Sequence, residues 1–251
     1  MTATRPIEAV TFDHWNTLVY EQPGALRDKR LDAWMGVLEG VGFAVERQRL
    51  EAAFTTSWER FVATWHSGEG QYTAVEAAID IVEELGYELP PGVHDELAAA
   101  YTSTDGVTLH LVDGARECLS VLRDAGLRLG IVCDVGMTPS SALRANLAGH
   151  EVLALFGHCS FSDEVGAYKP SPVIFEDALR GLGGVAPERA AHVGDLRRTD
   201  VAGAQALGMV AVRFTGVFDD TGDGSEGPDG LPEADHVIGD LRVLPDVLGL
   251  T

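Results

Sequence analysis

Lysine is almost missing from this chain. It occurs twice in 251 residues, as Lys29 and Lys169. Eighteen Lys and Arg stand against 39 Asp and Glu, for a formal net charge of −21. A surface of that sign repels polyanions, which argues against nucleic acid or an anionic membrane as partner. Cysteine is also scarce: Cys118, Cys133 and Cys159. No CxxC spacing occurs, so a thiolate zinc site is not expected. An odd, sparse set of thiols predicts reduced cysteines and a cytoplasmic setting. No apolar run approaches the roughly 20 residues that span a bilayer. The first six residues, Met1 to Pro6, contain no apolar signal region. There is no internal repeat.

What remains is 45% hydrophobic and strongly periodic, as a folded globular chain should be. The run Ala9-Val10-Thr11-Phe12 stops at Asp13. That pattern predicts a buried strand delivering a carboxylate to its C-terminal edge, where open α/β sheets bind ligands. Leu129–Cys133 is a second such run, followed by Asp134. Ala191-His192-Val193-Gly194 ends at Asp195, with Asp200 five positions on. Between them, the stretch from Ser162 to Pro170 presents Lys169 immediately before a proline. In a chain with one other lysine, that cation is not there by chance. His192 reads as a packed neighbour inside its strand.

The spacing predicts four helices in the region 21–104: Ala25–Gly40, Glu46–His66, Thr73–Leu85 and Val93–Tyr101. No strand interrupts them. Elsewhere strands and helices alternate, which predicts a parallel sheet with helices on both faces. Asp113 is expected to cap a helix over Ala115–Ala125, and Asp200–Leu207 is expected to be helical. Leu241–Leu248 should form a closing helix. Asp219–Pro232, rich in Gly and Asp, reads as a mobile surface loop. The domains are therefore 1–20 with 105–251, an α/β core, and 21–104, an all-helical insert.

The order and spacing of these four stretches resemble the haloacid dehalogenase-like hydrolase superfamily. The resemblance covers about residues 8–20 and 107–215. It implies a Rossmann-like core and makes the insert a helical cap of the C1 type, with hinges near Tyr20–Gly24 and Thr104–Val107. It implies that Asp13 is the nucleophile and that Lys169 stabilises an anionic substrate. Phosphatase members hold Mg²⁺ through residues matching Asp13, the carbonyl of Trp15, Asp195 and Asp200, all hard oxygen donors. Cys133 and Asp134 fall in the second motif. Trp65 and His66 are candidate substrate contacts in the cap, against a reading as packing and a helix end. The expected partner is a small anionic molecule, and the expected state a monomer or homodimer.

Two positions depart from the phosphatase pattern. Two residues after the nucleophile, phosphatases carry an aspartate that protonates the leaving group. Here Trp15 stands there and cannot do acid–base work, a loss worth ~10²–10⁴-fold in rate. His14 is titratable, but strand alternation points it elsewhere. Cys133 stands where Ser or Thr is usual, and a thiol is a weaker donor. Three readings follow: a Mg²⁺-dependent phosphatase with altered acid–base catalysis, a dehalogenase forming an ester on Asp13, or a non-catalytic protein on the same scaffold. The aromatic Trp15 resembles the dehalogenases. The Gly194-Asp195 motif resembles the phosphatases.

Overall fold

The computed structural model describes residues 6–68, 70–220 and 230–250. The chain divides into two compact units. One contains Met1–Tyr20, Leu109–Asp134 and Arg144–Thr251, and the other Glu21–Thr108 and Val135–Leu143.

The first unit is organised on a six-stranded sheet. Its strands are β1 (Ala9–Phe12), β4 (Arg128–Cys133), β5 (His158–Phe161), β6 (Ala190–Gly194), β7 (Val210–Phe214) and β8 (His236–Ile238). They run in the order β5-β4-β1-β6-β7-β8, and every pairing is parallel. All residues of β1 and β6 are buried, which is why both read as unbroken apolar runs. The chain leaves β1 towards β4 and β5, then crosses back to lay β6 on the other side of β1. The strand order therefore reverses between β1 and β6, and in open α/β sheets the crevice beyond the carboxyl ends at that point takes ligands. Asp13 and Asp195 are the first residues past those two ends.

Helices α5 (Ala115–Asp124), α6 (Ser140–Gly149), α7 (Ser162–Val165), α8 (Pro172–Gly181), α9 (Ala202–Ala206) and α10 (Leu244–Val247) complete the α/β pattern. The hydroxyl of Ser171 accepts from Val173 N–H to start α8, with Pro172 at a position that needs no N–H. Ile174, Phe175, Ala178 and Leu179 of α8 then bury against Ala190, Ala204 and Ala211.

One expectation is corrected and two are refined. Asp113 does not cap α5. Gly114 does so in a left-handed conformation, φ 80, with no side-chain bond. That positive φ favours glycine at this position. The helix expected from Asp200 is a π-turn over Arg197–Val201 that hands over to α9. The closing helix is a 3₁₀ turn, Leu241–Val243, followed by α10. A small antiparallel pair, β2 (Val19–Tyr20) with β3 (His110–Leu111), was not foreseen. Most of the loop expected over Asp219–Pro232, residues 221–229, lies outside the described residues.

The second unit contains α1 (Ala25–Gly40), α2 (Arg47–Ser67), α3 (Ala74–Leu85) and α4 (Val93–Thr102), and no strand among its described residues. A capping box between Thr73 and Glu76 opens α3, and left-handed Gly86 closes it. Trp34 of α1 is fully buried, with Phe54 and Tyr101 edge-on at 5.2 and 6.0 Å.

Candidate active site

The site is built where β1 and β6 end. The ladder between them continues one residue further, as Asp13 N–H donates to Val193 O at 2.8 Å. The chain then curls back on itself. His14 O accepts from Leu18 N–H at 3.0 Å and Val19 N–H at 2.9 Å. Asn16 sits at φ 56, a conformation that asparagine tolerates better than most residues. Its side chain reaches Asp195 Oδ2 at 3.4 Å, which ties the first motif to the fourth.

After β6 the chain makes its π-turn. Leu196 O accepts from both Asp200 N–H, 2.9 Å, and Val201 N–H, 3.2 Å. The turn folds Asp200 back over Gly194, where a Cβ would come within 2.2 Å of the Asp200 carboxyl carbon. Glycine before Asp195 is thus a steric requirement of Asp200.

Lys169 enters from the loop between α7 and α8. Its backbone N–H donates to Asp134 Oδ1 at 2.9 Å. Its Nζ donates to Asp13 Oδ1 and to Asp200 Oδ1, both at 2.6 Å. Oxygens of Asp13, Asp195 and Asp200 lie within 4.8 Å of one another. These four charged side chains are 1–5% exposed.

The carboxylates are electrostatically unequal. Burial pushes Asp13 up to about 7, helped by Asp200 and opposed by Lys169. Burial, then Asp13 and Asp200, push Asp195 well above the usual carboxylate range. Asp200 is buried too, but Lys169 and His192 more than offset this and pull it below its ordinary value. For Lys169, burial disfavours the ammonium, yet Asp13 and Asp200 hold it charged. One ammonium therefore offsets one carboxylate, Asp200, and without further positive charge the other two acids resist ionisation.

Cys133 ends β4, fully buried, with Sγ 3.4 Å from Asp134 O. Burial and then Asp13 push its thiol well up, so it stays protonated. Trp15 is half-buried, with its ring 5.0 Å from that of His14 in an edge arrangement. His14 is fully buried, burial lowers it to about 3, and neither ring nitrogen has a hydrogen-bond partner. Trp65 and His66 belong to α2 in the other unit, half-buried and exposed respectively.

His192, read from the sequence only as a packed neighbour, also contacts the site. Its Nε2 lies 2.9 Å from Asp200 Oδ1 and its Nδ1 2.9 Å from Thr11 Oγ1. Burial lowers its pKa and keeps it neutral. An Nε2–H tautomer therefore donates to Asp200 while the Thr11 hydroxyl donates to Nδ1. The register of β1 on β6 pairs Thr11 with His192. That register was the missing signal.

Residues 7–208 match a family model described as haloacid dehalogenase-like hydrolase. The chain is 28% identical over 208 residues to a glyceraldehyde 3-phosphate phosphatase of Methanopyrus kandleri, covering 83% of this chain and 84% of that one. Its structure resembles that of a HAD phosphatase from Thermococcus onnurineus, with a TM-score of 0.62, 26% identity, and 97% and 98% of the two chains covered. It also resembles a 2-haloacid dehalogenase from Pseudomonas syringae, with a TM-score of 0.67, 21% identity, and 97% and 98% covered. That last likeness speaks to the fold alone. With four fifths of its length inside the family match, the chain belongs to the haloacid dehalogenase-like hydrolases.

Proposed function

We propose that this chain is a Mg²⁺-dependent phosphatase of a small phosphorylated metabolite, working through an aspartyl-phosphate on Asp13. The observation that carries this reading is the charge imbalance of the site. Three buried acids face a single buried ammonium, so ionising all three would leave two negative charges in excess around oxygens that lie within 4.8 Å of one another. A divalent cation removes that excess, and an all-oxygen donor set suits Mg²⁺ rather than a softer metal. Asp13, the Trp15 carbonyl, Asp195 and Asp200 would hold it. When bound, Mg²⁺ screens the repulsion between phosphate and carboxylate and stabilises charge in the transition state.

The remaining steps belong to the chain's own residues. An oxygen of Asp13 attacks phosphorus, and the bond from phosphorus to the leaving oxygen breaks with its electron pair. Lys169, already on Asp13, donates to the phosphoryl oxygens. Water then opens the acyl phosphate, releasing inorganic phosphate and restoring Asp13. No side chain at Trp15 supplies the leaving-group proton. Aryl phosphates, whose leaving oxygens need that proton least, should therefore turn over faster than alkyl phosphates.

The name of the Methanopyrus kandleri relative, a phosphatase of a triose phosphate, supports a small substrate. Residues 21–104 read as a C1-type cap on a core of 1–20 and 105–251, with Trp65 and His66 as substrate contacts. Three reduced thiols, Cys118, Cys133 and Cys159, support a cytoplasmic setting. Among the described residues, no helix is long and apolar enough to cross a membrane.

The test measures phosphate release from an aryl phosphate and halide release from 2-chloropropionate, with and without Mg²⁺. Mg²⁺-dependent phosphate release that vanishes in Asp13→Asn is expected. Metal-independent halide release would replace this reading with the dehalogenase reading that Trp15 favours. Mg²⁺ binding without either activity would leave a scaffold that no longer turns over.

A further inference from the structure

The turn that carries Asp195 and Asp200 lacks ordinary helical support, since one carbonyl, Leu196 O, serves two N–H groups. Two arginines brace it from outside. Arg213 lies on β7 directly beside Gly194 of β6, so it is adjacent to the residue that precedes Asp195. It is only 6% exposed. Its Nη1 donates to Asp219 Oδ1 at 2.6 Å, and its Nε and Nη2 donate to the two oxygens of Glu233 at 2.9 and 3.1 Å. Arg197 opens the π-turn. Its backbone N–H donates to Asp220 Oδ2 at 2.7 Å, and its guanidinium reaches Leu231 O at 2.7 Å and Pro232 O at 3.4 Å.

Each arginine thus grips both ends of the segment that follows β7. Asp219 and Asp220 form one end, and Leu231 to Glu233 the other. Gln205 of α9 adds a bond to Glu233 O at 2.9 Å. The catalytic turn and the two ends of this segment form one hydrogen-bonded block. The described ends of this segment are anchored on the first residue of the π-turn and on the strand neighbour of Gly194.

We propose that Arg213 is a positioning residue for the carboxylate pair Asp195 and Asp200. By holding Asp219 and Glu233 on the sheet, it fixes Asp220 against Arg197 N–H, and so fixes the turn whose carboxylates face the cation. The proposal rests on the reading that those carboxylates bind Mg²⁺. Replacing Arg213 by glutamine removes the cation that Asp219 and Glu233 share. The segment then lets go of the turn. A lysine keeps the charge but not the fork that grips both Glu233 oxygens.

The experiment is a calorimetric titration of Mg²⁺ into the full chain without substrate, beside melting curves without metal, for wild type, R213Q, R213K and D220A. R213Q should bind Mg²⁺ about tenfold more weakly, the lower end of what outer supporting partners contribute. R213K should recover part of that loss, and D220A, which removes the acceptor of Arg197 N–H, should weaken binding less than R213Q. At limiting Mg²⁺ turnover should fall by the same factor, and excess Mg²⁺ should restore it. Were R213Q not to fold, D220A decides, because it leaves both Arg213 ion pairs in place. Wild-type affinity in R213Q and D220A alongside a lowered melting point would overturn the proposal, leaving Arg213 as a loop anchor only. Absence of Mg²⁺ binding in the wild type would overturn both this proposal and the phosphatase reading.

Discussion

The rim of the parallel sheet and the four-helix unit use charge in opposite ways. At the rim, Asp13, Lys169, Asp195 and Asp200 are all within 1–5% exposure, with His192 buried beside them. In the helical unit, the deepest side chains are Trp34, Leu31, Leu38, Leu50, Ile81, Leu85 and Leu97. Its ion cluster around Arg47 lies outside. Arg47, 39% exposed, meets Asp28, Asp32 and Glu51, which are 72%, 64% and 41% exposed. Burying an ion costs several kcal/mol after relaxation, and a close partner recovers only part of it. A chain that buries four ionisable groups at one rim and keeps the Arg47 ion cluster of its helical unit on the surface has given up stability in one place. That place is where chemistry is to be expected. The helical unit shows the other solution, in which shape is held by apolar packing.

The largest change should come from giving the rim the group it lacks. Trp15→Asp places a carboxyl two residues after Asp13, where a general acid could serve the leaving group. If proton supply limits turnover, alkyl phosphate hydrolysis should rise ~10²–10⁴-fold, and aryl phosphate hydrolysis much less. Steady-state rates on a matched pair of alkyl and aryl esters measure this. Equal gains on both would mean that Trp15 obstructs access rather than withholding a proton.

The helical unit should break differently. Trp34→Ala removes a fully buried indole from between Phe54 and Tyr101. Such truncations cost ~3–5 kcal/mol. Chemical denaturation should show that loss, while the Mg²⁺ affinity of the folded protein stays put. A change in Mg²⁺ affinity would show that the packing of the helices and the geometry of the rim are not separable.

How much of each region was legible beforehand follows from the same contrast. The strand ends at Asp13 and Asp195 could be read because an apolar run that stops at an acid is a local pattern. Lys169 could be read because lysine is so rare here. The four helices could be read because their apolar residues recur at helical spacing over 10 to 21 residues. What stayed hidden depends on which strand lies beside which. Thr11 meets His192, and Arg213 meets Gly194, only through the pairings of β1 with β6 and β6 with β7. The π-turn depends on Leu196 O accepting two bonds, which no residue type announces. Asp113 was read as a cap because aspartate is a good one. Gly114, at a positive φ, takes the cap position instead.

The smallest effect is expected at the busiest-looking ion cluster. Arg47 contacts three acids, Asp28 and Asp32 on α1 and Glu51 one turn along α2, and they hold its guanidinium above its ordinary value. All four groups are solvated, so water and salt screen the attraction. Ordering four flexible side chains opposes what is left. Asp28 and Asp32 stand one turn apart on α1, and Arg47 relieves their mutual repulsion only as far as the screening allows it to matter. Arg47→Ala should therefore leave the melting midpoint and the catalytic rate where they are, at low and high salt alike. A clear drop at low salt that disappears at high salt would show that the surface of the helical unit, too, uses charge to hold its shape. The division between a charged rim and an apolar helical unit would then be one of degree.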